Sequence, residues 1–231
     1  MEIPKIIHQT WKDETIPEQF VDSVNSWKNL HQDWKYLLWT DEMNINFLET
    51  HFPDFLDTYH KYESHIQRVD AIRYFILYKF GGVYVDLDFH CFKNILPIIK
   101  DGDCAFGLEH SSHSSVHEKE MIISNAIMAS KPEAGFMRLL CDELFHPSVS
   151  SFEDKNNMIL ETTGPFMLTR LYEKHRDDVT LNVKIIEAEY LYPLTKDEIN
   201  QELLTNIKNN VINDQLKNAY ALHYYWGSWW N

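Results

Sequence analysis

The chain has 231 residues, of which 44% are hydrophobic and 24% charged, with only seven glycines and eight prolines. This length and composition are typical of a globular protein with a sizeable core, and they exclude a low-complexity chain. The formal net charge of −14 argues against general binding to nucleic acid or anionic membranes, because such binding depends on lysine and arginine. We therefore expect one domain over residues 1–231.

Cysteine content and the N-terminal segment bear on the cellular compartment. The three cysteines are odd in number and far apart in the sequence, so neither a disulfide framework nor a CxxC metal site is expected. Cys91 is interpreted as a small buried hydrophobe. The start MEIPKIIHQTW lacks the basic region and apolar core of a signal peptide, and no run reaches the roughly 18 apolar residues of a membrane span. These features predict a cytoplasmic protein with at most peripheral membrane contact.

In chain order, short apolar runs alternate with segments of helical spacing. The runs that predict strands are 5–11, 34–39, 83–92, 104–110, 121–130 and 183–194. Helices are expected after an N-cap at Thr40, at 64–82 with a glycine stop, and at 132–146, 165–176 and 196–209. Pro132 and Pro165 suit first helical positions. This alternation predicts an α/β fold, a sheet with helices on both faces.

The stretch GGVYVDLDFH (81–90) places two aspartates one residue apart. Since alternate residues of a strand share a face, Tyr84, Asp86 and Asp88 are expected on one side, with i and i+2 about 6–7 Å apart. A slight turn would bring both carboxylates within reach of one hard cation such as Mg²⁺, Mn²⁺ or Ca²⁺. The alternative is a solvated strand end, and the pair alone does not decide between them.

The predicted helix before this strand adds a second polar group. Asp70 and Arg73 are three residues apart and share a helix face among apolar positions. They could form an internal salt bridge, or they could offer a carboxylate to sugar hydroxyls and a guanidinium to a phosphate. The glycine pair that follows allows the chain to turn tightly back into the aspartate strand.

Four segments of the chain resemble those of glycosyltransferase family 32, and they occur along the chain in the family's order. RVDAIRYFILYKFGGVYVDLDFH (68–90) is similar to the family's D-x-x-R…GG-x-Y-x-D-x-D signature, while IPKIIHQTW, LLWTDE and ALHYYWGSWW resemble its other motifs. The family includes relatives of fungal Golgi mannosyltransferases, bacterial capsule and lipopolysaccharide enzymes and, distantly, the glucosylating domains of large clostridial toxins. The resemblance implies a GT-A fold of Rossmann-like type with a mixed central sheet, a nucleotide-sugar donor, and Mn²⁺ or Mg²⁺.

The resemblance also implies roles for the residues that carry it. Asp88 is expected to bind the metal directly, and His223 to supply a ligand from the C-terminal segment. Asp86 is expected to reach the donor's ribose or sugar, or the metal through water, and is counted both as a metal-site and as a catalytic residue.

Further positions are implied around the sugar and the nucleotide. Asp70, Arg73 and Asn125 are expected to hold the transferred sugar and to be catalytic, while Gly164 and Pro165 match a loop on the acceptor side. The residues expected to bind the donor, besides Asp70, Arg73 and Asp86, are Gln9, Thr10, Trp11, Trp39, Tyr84, Ser228 and Trp229.

The implied reaction is transfer of a hexose or N-acetylhexosamine, with retention, from a UDP- or GDP-sugar to a glycan or glycolipid in polysaccharide, lipopolysaccharide or capsule synthesis. Family members use UDP-galactose, UDP-N-acetylhexosamines, UDP-glucose or GDP-mannose, and a UDP-sugar is favoured here. Two alternatives stay open. A haloacid-dehalogenase-type phosphatase would have Thr or Val where this chain has His90. A calcium-dependent sugar-binding module would have no need of the motif at residues 3–11.

The segment EHSSHSSVHEKE (109–120) carries histidines at positions 110, 113 and 117 in a serine-rich setting. Their spacing could imitate a zinc site, but an unstructured loop at the acceptor entrance is favoured. His8, inside the first motif, is interpreted as a structural partner rather than a base.

Overall fold

A computed structural model describes residues 2–205 and 214–226 of the chain. The strands in this part are β1 (Ile6–Thr10), β2 (Lys35–Trp39), β3 (Gly82–Val85), β4 (Phe89–Cys91), β5 (Cys104–Leu108), β6 (Ile123–Ser130), β7 (Val183–Ile186) and β8 (Ala221–His223). The helices are α1 (Glu18–Leu30), α2 (Asp41–His51), α3 (Leu56–Lys61), α4 (His65–Phe80), α5 (Leu96–Ile99), α6 (Ser111–Val116), α7 (Gly135–Phe145), α8 (Lys155–Thr162), α9 (Pro165–His175), α10 (Ala188–Leu191) and α11 (Lys196–Thr205). Within these residues no helix is both long and apolar enough to cross a bilayer.

The central sheet is mixed and has the strand order β2-β1-β3-β6-β5-β7. Strand β1 pairs in parallel with β2 and β3, and β5 pairs in parallel with β7. Strand β6 runs antiparallel to both β3 and β5 and joins the two parallel parts. A second, two-stranded antiparallel sheet is formed by β4 and β8, which brings the C-terminal segment beside the chain that follows β3.

Hydrophobic cores on the two faces of the sheet explain its stability. One core packs the side chains of Tyr84 and Phe106 against α2, α4, α7 and α9, with Phe75 of α4 fully buried. The other packs Val85 against α1, α5 and the β4 strand, with Trp27 of α1 fully buried. Burying such side chains contributes about 1.5–3 kcal/mol each, so both faces hold the sheet in place. The α/β prediction with helices on both faces is confirmed.

Helix α4 positions the polar residues of the site, and local signals define its ends. Ser64 and Gln67 form a reciprocal capping box at its start. Gly81 ends it with a φ of +63°, and a Cβ there would lie 2.7 Å from the Pro132 ring. The capping box requires side chains such as Ser64 and Gln67, and the positive φ favours a glycine. These residues mark both ends of the helix predicted over 64–82, which is found at 65–80. The N-cap predicted at Thr40 is likewise present, since its side chain accepts a hydrogen bond from the Met43 N–H.

The prediction of one continuous strand over 83–92 is wrong. Strand β3 ends at Val85, Leu87 and Asp88 form a turn, and β4 begins at Phe89 in the other sheet. The Phe89 N–H donates to the Asp86 carbonyl at 3.2 Å, which closes the turn, and Leu87 packs into a separate cluster with Phe20 of α1. The alternation of apolar and polar residues continues through the turn, so the sequence pattern does not reveal it.

Other boundaries also differ from the predictions. The strand expected over 183–194 ends at Ile186, where its pairing with β5 stops, and α10 follows. Pro132 is not a first helical position, because α7 begins at Gly135, whereas Pro165 does begin α9. The segment 109–120 contains the helix α6 instead of being an unstructured loop. Helices α1, α3, α5 and α8 were not predicted, and residues 206–209 of the helix expected at 196–209 lie outside the described part.

Candidate active site

A cavity of about 670 Å³ opens at the carboxyl end of β3. Its lining includes five residues of α4, the turn after β3, the middle of β6 and the C-terminal segment. The polar and aromatic residues of this lining include Trp11, Asp70, Arg73, Asp86, Asp88 and His223. The sheet topology therefore brings together groups that are more than 200 residues apart in sequence.

Asp86 is held by residues of the central sheet and of α4. Its carboxylate accepts a hydrogen bond from the Tyr84 hydroxyl at 2.8 Å and an ion-paired hydrogen bond from Arg73 at 3.3 Å. Its backbone N–H donates to the Ala126 carbonyl at 2.8 Å, and its carbonyl accepts from the Gln9 amide at 3.3 Å. Burial raises the pKa of the Asp86 carboxyl, and Arg73 only partly opposes this effect.

Asp88 is held by the C-terminal segment. One carboxylate oxygen lies 3.2 Å from Nε2 of His223, and the other accepts the Trp226 backbone N–H at 2.9 Å. Burial disfavours the charged carboxylate, but His223 and the backbone N–H of Trp226 together outweigh it, so the pKa of the Asp88 carboxyl lies below its usual range. The pKa of His223 is raised: burial lowers it, and Asp88 more than compensates. The His223 ring is stacked on Phe89 with centroids 4.7 Å apart.

These two carboxylates and the imidazole can hold a metal ion. Each of Asp86, Asp88 and His223 offers one ligand atom, and the three atoms lie within 4.8 Å of one another. Within the part of the chain that the structure describes, this is the one such cluster. Nδ1 of His223 has no hydrogen-bond partner there, which leaves a buried donor or acceptor for a ligand. A mixed set of carboxylate oxygens and an imidazole fits a divalent cation such as Mn²⁺.

Asp70 and Arg73 form a buried network beside the cluster. Arg73 donates to Asp70 at 3.1 Å and to the Asn125 carbonyl at 2.8 Å, with both ion-paired side chains less than 10% exposed. The Asp70 carboxylate also accepts from the Asn125 amide at 3.1 Å and from the Thr163 hydroxyl at 3.3 Å. Burial raises the pKa of Asp70 to about 7, against the lowering effect of Arg73. The pKa of Arg73 is raised, because Asp86 and its other neighbours outweigh burial, so the guanidinium stays charged.

Comparison with known proteins identifies the family of this site. Residues 17–105 match the family model described as "glycosyltransferase sugar-binding region containing DXD motif". In Saccharomyces cerevisiae, the mannosyl phosphorylinositol ceramide synthases CSH1 and SUR1 are 39% and 38% identical to this chain. The matches cover 75% and 81% of this chain, and 43% and 47% of those proteins. The chain belongs to the DXD glycosyltransferases.

This membership confirms the resemblance to glycosyltransferase family 32. The chain spans about half the length of the curated relatives it matches. Among solved structures, the PaToxG glycosyltransferase aligns over 95% of this chain and 89% of its own, with a TM-score of 0.55 and 14% identity. At that identity the likeness shows the fold alone, and it confirms the GT-A fold. Nothing in these comparisons favours the phosphatase or the calcium-dependent binding module.

The end of the cavity nearest β1 is the place where the family resemblance expects the nucleotide. Thr10 and Trp11 both line it, and Nε1 of Trp11 is buried without a partner in the described residues. The Trp11 ring packs edge to face on Phe20, whose ring also contacts Trp226 at 5.9 Å. An aromatic wall with an unpaired N–H donor suits a flat base that carries carbonyl groups.

Three residues expected to bind the donor do not line the cavity. The Gln9 side chain is fully buried and is held by Tyr36, whose hydroxyl donates to it at 2.8 Å. Trp39 packs on Phe80 in the core and donates to Nδ1 of His8 at 3.0 Å, so it is no stacking wall.

Tyr84, the third of these residues, is fully buried below Arg73, whose guanidinium carbon lies 4.6 Å from the ring centroid. Its hydroxyl bonds Asp86 and Thr10, both at 2.8 Å. Gln9, Trp39 and Tyr84 therefore support the groups that face the ligand. Ser228 and Trp229, also expected at the donor, lie outside the described residues.

His8 is buried in the core, whereas the acceptor-side residues Gly164 and Pro165 lie at the start of α9. Nε2 of His8 donates to the Gly81 carbonyl at 2.9 Å, since Nδ1 accepts from Trp39. Burial lowers the pKa of His8 to about 4, which is the environment of a structural histidine. Pro165 lines the cavity and Gly164 precedes it as the N-cap of α9.

Sequence reasoning missed several residues of the site. The Trp226 N–H contact to Asp88 was not anticipated, nor were Phe20, Lys12 and Lys196 in the cavity wall. No local signal marks these residues, because each reaches the cavity only through the packing of its helix or loop. Trp226 lies inside the C-terminal motif ALHYYWGSWW, and that position was the one available hint for it.

Proposed function

We propose that this protein is a metal-dependent glycosyltransferase that moves a hexose from a nucleoside diphosphate sugar to a hydroxyl group of a lipid or glycan. The observation that carries the proposal is the convergence of Asp86, Asp88 and His223 within 4.8 Å, in a cavity that Asp70 and Arg73 also line. Membership of the DXD glycosyltransferases supports the same reaction class.

The residues of the cavity fit the charge changes of such a reaction. When a divalent cation is bound at the cluster, it acts as a Lewis acid on the diphosphate oxygens. Arg73 keeps its charge in a buried setting, where its attraction to a departing phosphate is stronger than in water. Asp70 and Asn125 offer a carboxylate and an amide to the sugar hydroxyls, as the family resemblance implies. As the family resemblance implies, we expect transfer with retention, by front-face displacement rather than through a covalent intermediate.

The activities named for the relatives direct the choice of substrates. Two are mannosyl phosphorylinositol ceramide synthases, and Schizosaccharomyces pombe has inositol phosphoceramide mannosyltransferases, one of them 36% identical over 75% of this chain. We propose mannose as the first sugar to test and inositol phosphoceramide as the first acceptor. Mannose as the sugar points to GDP-mannose, whereas the sequence resemblance favours a UDP-sugar, and the substrate panel decides between these two donors. The cytoplasmic location and a peripheral membrane contact stay predictions.

Donor binding tests the reaction class directly. We expect GDP or UDP to raise the melting temperature of the protein only when Mn²⁺ is present, and Asp88→Ala to abolish that rise. Asp177→Ala is the matched control, since Asp177 is exposed and outside the cavity. Absence of a metal-dependent shift with either nucleotide would refute the proposal.

A panel of UDP- and GDP-sugars with Mn²⁺ then identifies the substrate. Release of nucleotide is measured with and without inositol phosphoceramide in detergent micelles, and the anomeric configuration of the product is read by NMR. GDP-mannose with the lipid is expected to give the fastest turnover. An inverted product would overturn the expectation of retention while leaving the reaction class intact.

A further inference from the structure

The segment between β5 and β6 carries a carboxylate–imidazole pair that the assignments above leave unused. Glu109 directly follows β5, and its backbone N–H donates to the Ile122 carbonyl at 2.9 Å. His113 lies within α6, and its Nδ1 is 3.3 Å from Oε2 of Glu109. Both side chains line the cavity and are less than one-quarter exposed. The pair is thus positioned by a strand end and a helix rather than by an irregular loop.

The pair has the arrangement of an oriented base. An ionised carboxylate only accepts hydrogen bonds, so the hydrogen that His113 shares with Glu109 lies on Nδ1. In the neutral ring this tautomer leaves a lone pair on Nε2, for which the described residues offer no partner. A carboxylate that holds an imidazole in this tautomer also stabilises the imidazolium formed when Nε2 takes a proton.

Aromatic contacts place the pair next to the metal cluster. The His113 ring packs edge to face on Tyr225, with centroids 4.9 Å apart, and Tyr225 lies 4.3 Å from the His223 ring. Tyr225 adopts a φ of +53°, a left-handed conformation that is uncommon for a bulky residue. Its ring lines the cavity between the two histidines, so one side chain separates His113 from a candidate metal ligand.

We propose that Glu109 and His113 form the acceptor-side base of the transfer reaction, with Nε2 of His113 binding the attacking hydroxyl and taking its proton. The hydroxyl oxygen bonds to the anomeric carbon, and the bond from that carbon to the diphosphate oxygen breaks. The electron pair of the broken bond leaves with the nucleoside diphosphate, and the proton passes to Nε2. Glu109 acts through His113 and is a positioning residue.

The location fits transfer with retention. In a front-face reaction the attacking and leaving oxygens lie on the same side of the sugar. A base one ring away from the groups that hold the diphosphate meets that condition. The inference rests on the proposed function, and it assigns to the histidine segment a role in acceptor activation.

The test compares His113→Ala and Glu109→Gln with His110→Ala, measuring mannose transfer from GDP-mannose to inositol phosphoceramide with Mn²⁺, or with the best pair from the substrate panel. His110 belongs to the same segment and caps α6, but it does not line the cavity, so its variant controls for disturbance of the helix. We expect His113→Ala to lower kcat about 100-fold with an unchanged donor KM. Added imidazole should restore at least about tenfold of that loss, because a small exogenous base can occupy the space left by truncation.

Glu109→Gln is expected to lower kcat about tenfold at an unchanged donor KM. Imidazole should not rescue it, since the imidazole of His113 is still present. The inference is wrong if His113→Ala stays within threefold of wild type, if imidazole fails to rescue it, or if His110→Ala loses as much activity. A wild-type protein that binds no nucleotide with metal and turns over no donor would remove the proposed function, and this inference with it.

Discussion

The two aspartates of the motif are held by different parts of the chain. Asp86 is fixed by Tyr84 and Arg73, which belong to the central sheet and to α4. Asp88 is fixed by His223 and by the Trp226 backbone, more than 130 residues further along. The pKa of Asp86 is raised by burial, whereas that of Asp88 is lowered because His223 and the Trp226 backbone N–H together outweigh burial. Asp86 is therefore anchored by core residues while its own side chain is 28% exposed at the cavity, and Asp88 is covered by the C-terminal segment.

This comparison predicts that changes on the Asp86 side act mainly on folding, while changes on the Asp88 side act mainly on metal binding. Arg73→Met is expected to have the largest effect. It leaves Asp70 and Asp86 without their buried cation, which costs about 3–5 kcal/mol in the free energy of unfolding. Urea denaturation measures the loss, with Arg138→Met as a control because Arg138 pairs only with an exposed aspartate at 3.9 Å. A loss below about 1 kcal/mol would contradict the assignment of Arg73 to the core.

His8, which pairs with Tyr84 across strands β1 and β3, is expected to make the free energy of unfolding depend on pH. Its pKa is about 4 in the folded protein and 6.5 ordinarily, so the unfolded chain binds the extra proton between these values. The contribution of His8 to the free energy of unfolding is therefore fully present above pH 6.5 and is lost as the pH falls toward 4, by about 3 kcal/mol. His8→Gln keeps a donor and an acceptor but does not titrate. Urea midpoints of the two proteins should converge as the pH is lowered over this range, and parallel curves would contradict the prediction.

On the Asp88 side, His223→Gln is expected to weaken Mn²⁺ binding by about 10–100-fold. The free energy of unfolding should fall by less than for Arg73→Met, since a glutamine can still donate a hydrogen bond to the Asp88 carboxylate. Calorimetric titration of Mn²⁺ measures the affinity, and thermal unfolding without metal measures stability. Equal Mn²⁺ affinity of the wild type and the His223→Gln variant would show that His223 is not a metal ligand.

Tyr84→Phe is expected to have the smallest effect. It removes the hydroxyl that bonds both Asp86 and Thr10 at 2.8 Å while it keeps the ring below Arg73. The free energy of unfolding should fall by about 1–2 kcal/mol. The pKa of Asp86 should rise further, which reduces metal affinity several-fold at neutral pH. A stability loss without any change in metal affinity would separate Asp86 from the metal site.

Local residues predicted much of the fold correctly. Thr40 and the Ser64 capping box mark helix starts through bonds to their own neighbours in sequence, and Pro165 does so through its fixed φ. Such signals need no tertiary information. The strand break after Val85 had no such signal, because alternation of apolar and polar residues persists through the turn. The prediction of a helix start at Pro132 was wrong for a different reason, because a proline allows a helix start but does not require one.

The sequence by itself determined the family, the ordered motifs and the pair Asp86 and Asp88, because residue types and spacing carry that information directly. Only the tertiary structure decided which side chains face the cavity. Gln9 shares the motif IPKIIHQTW with Thr10 and Trp11, and Trp39 lies in the motif LLWTDE. Both side chains are buried, so they position neighbouring residues and do not face the cavity. The opposite shifts of the Asp86 and Asp88 pKa values also come from packing, since burial and charged neighbours are properties of the folded chain.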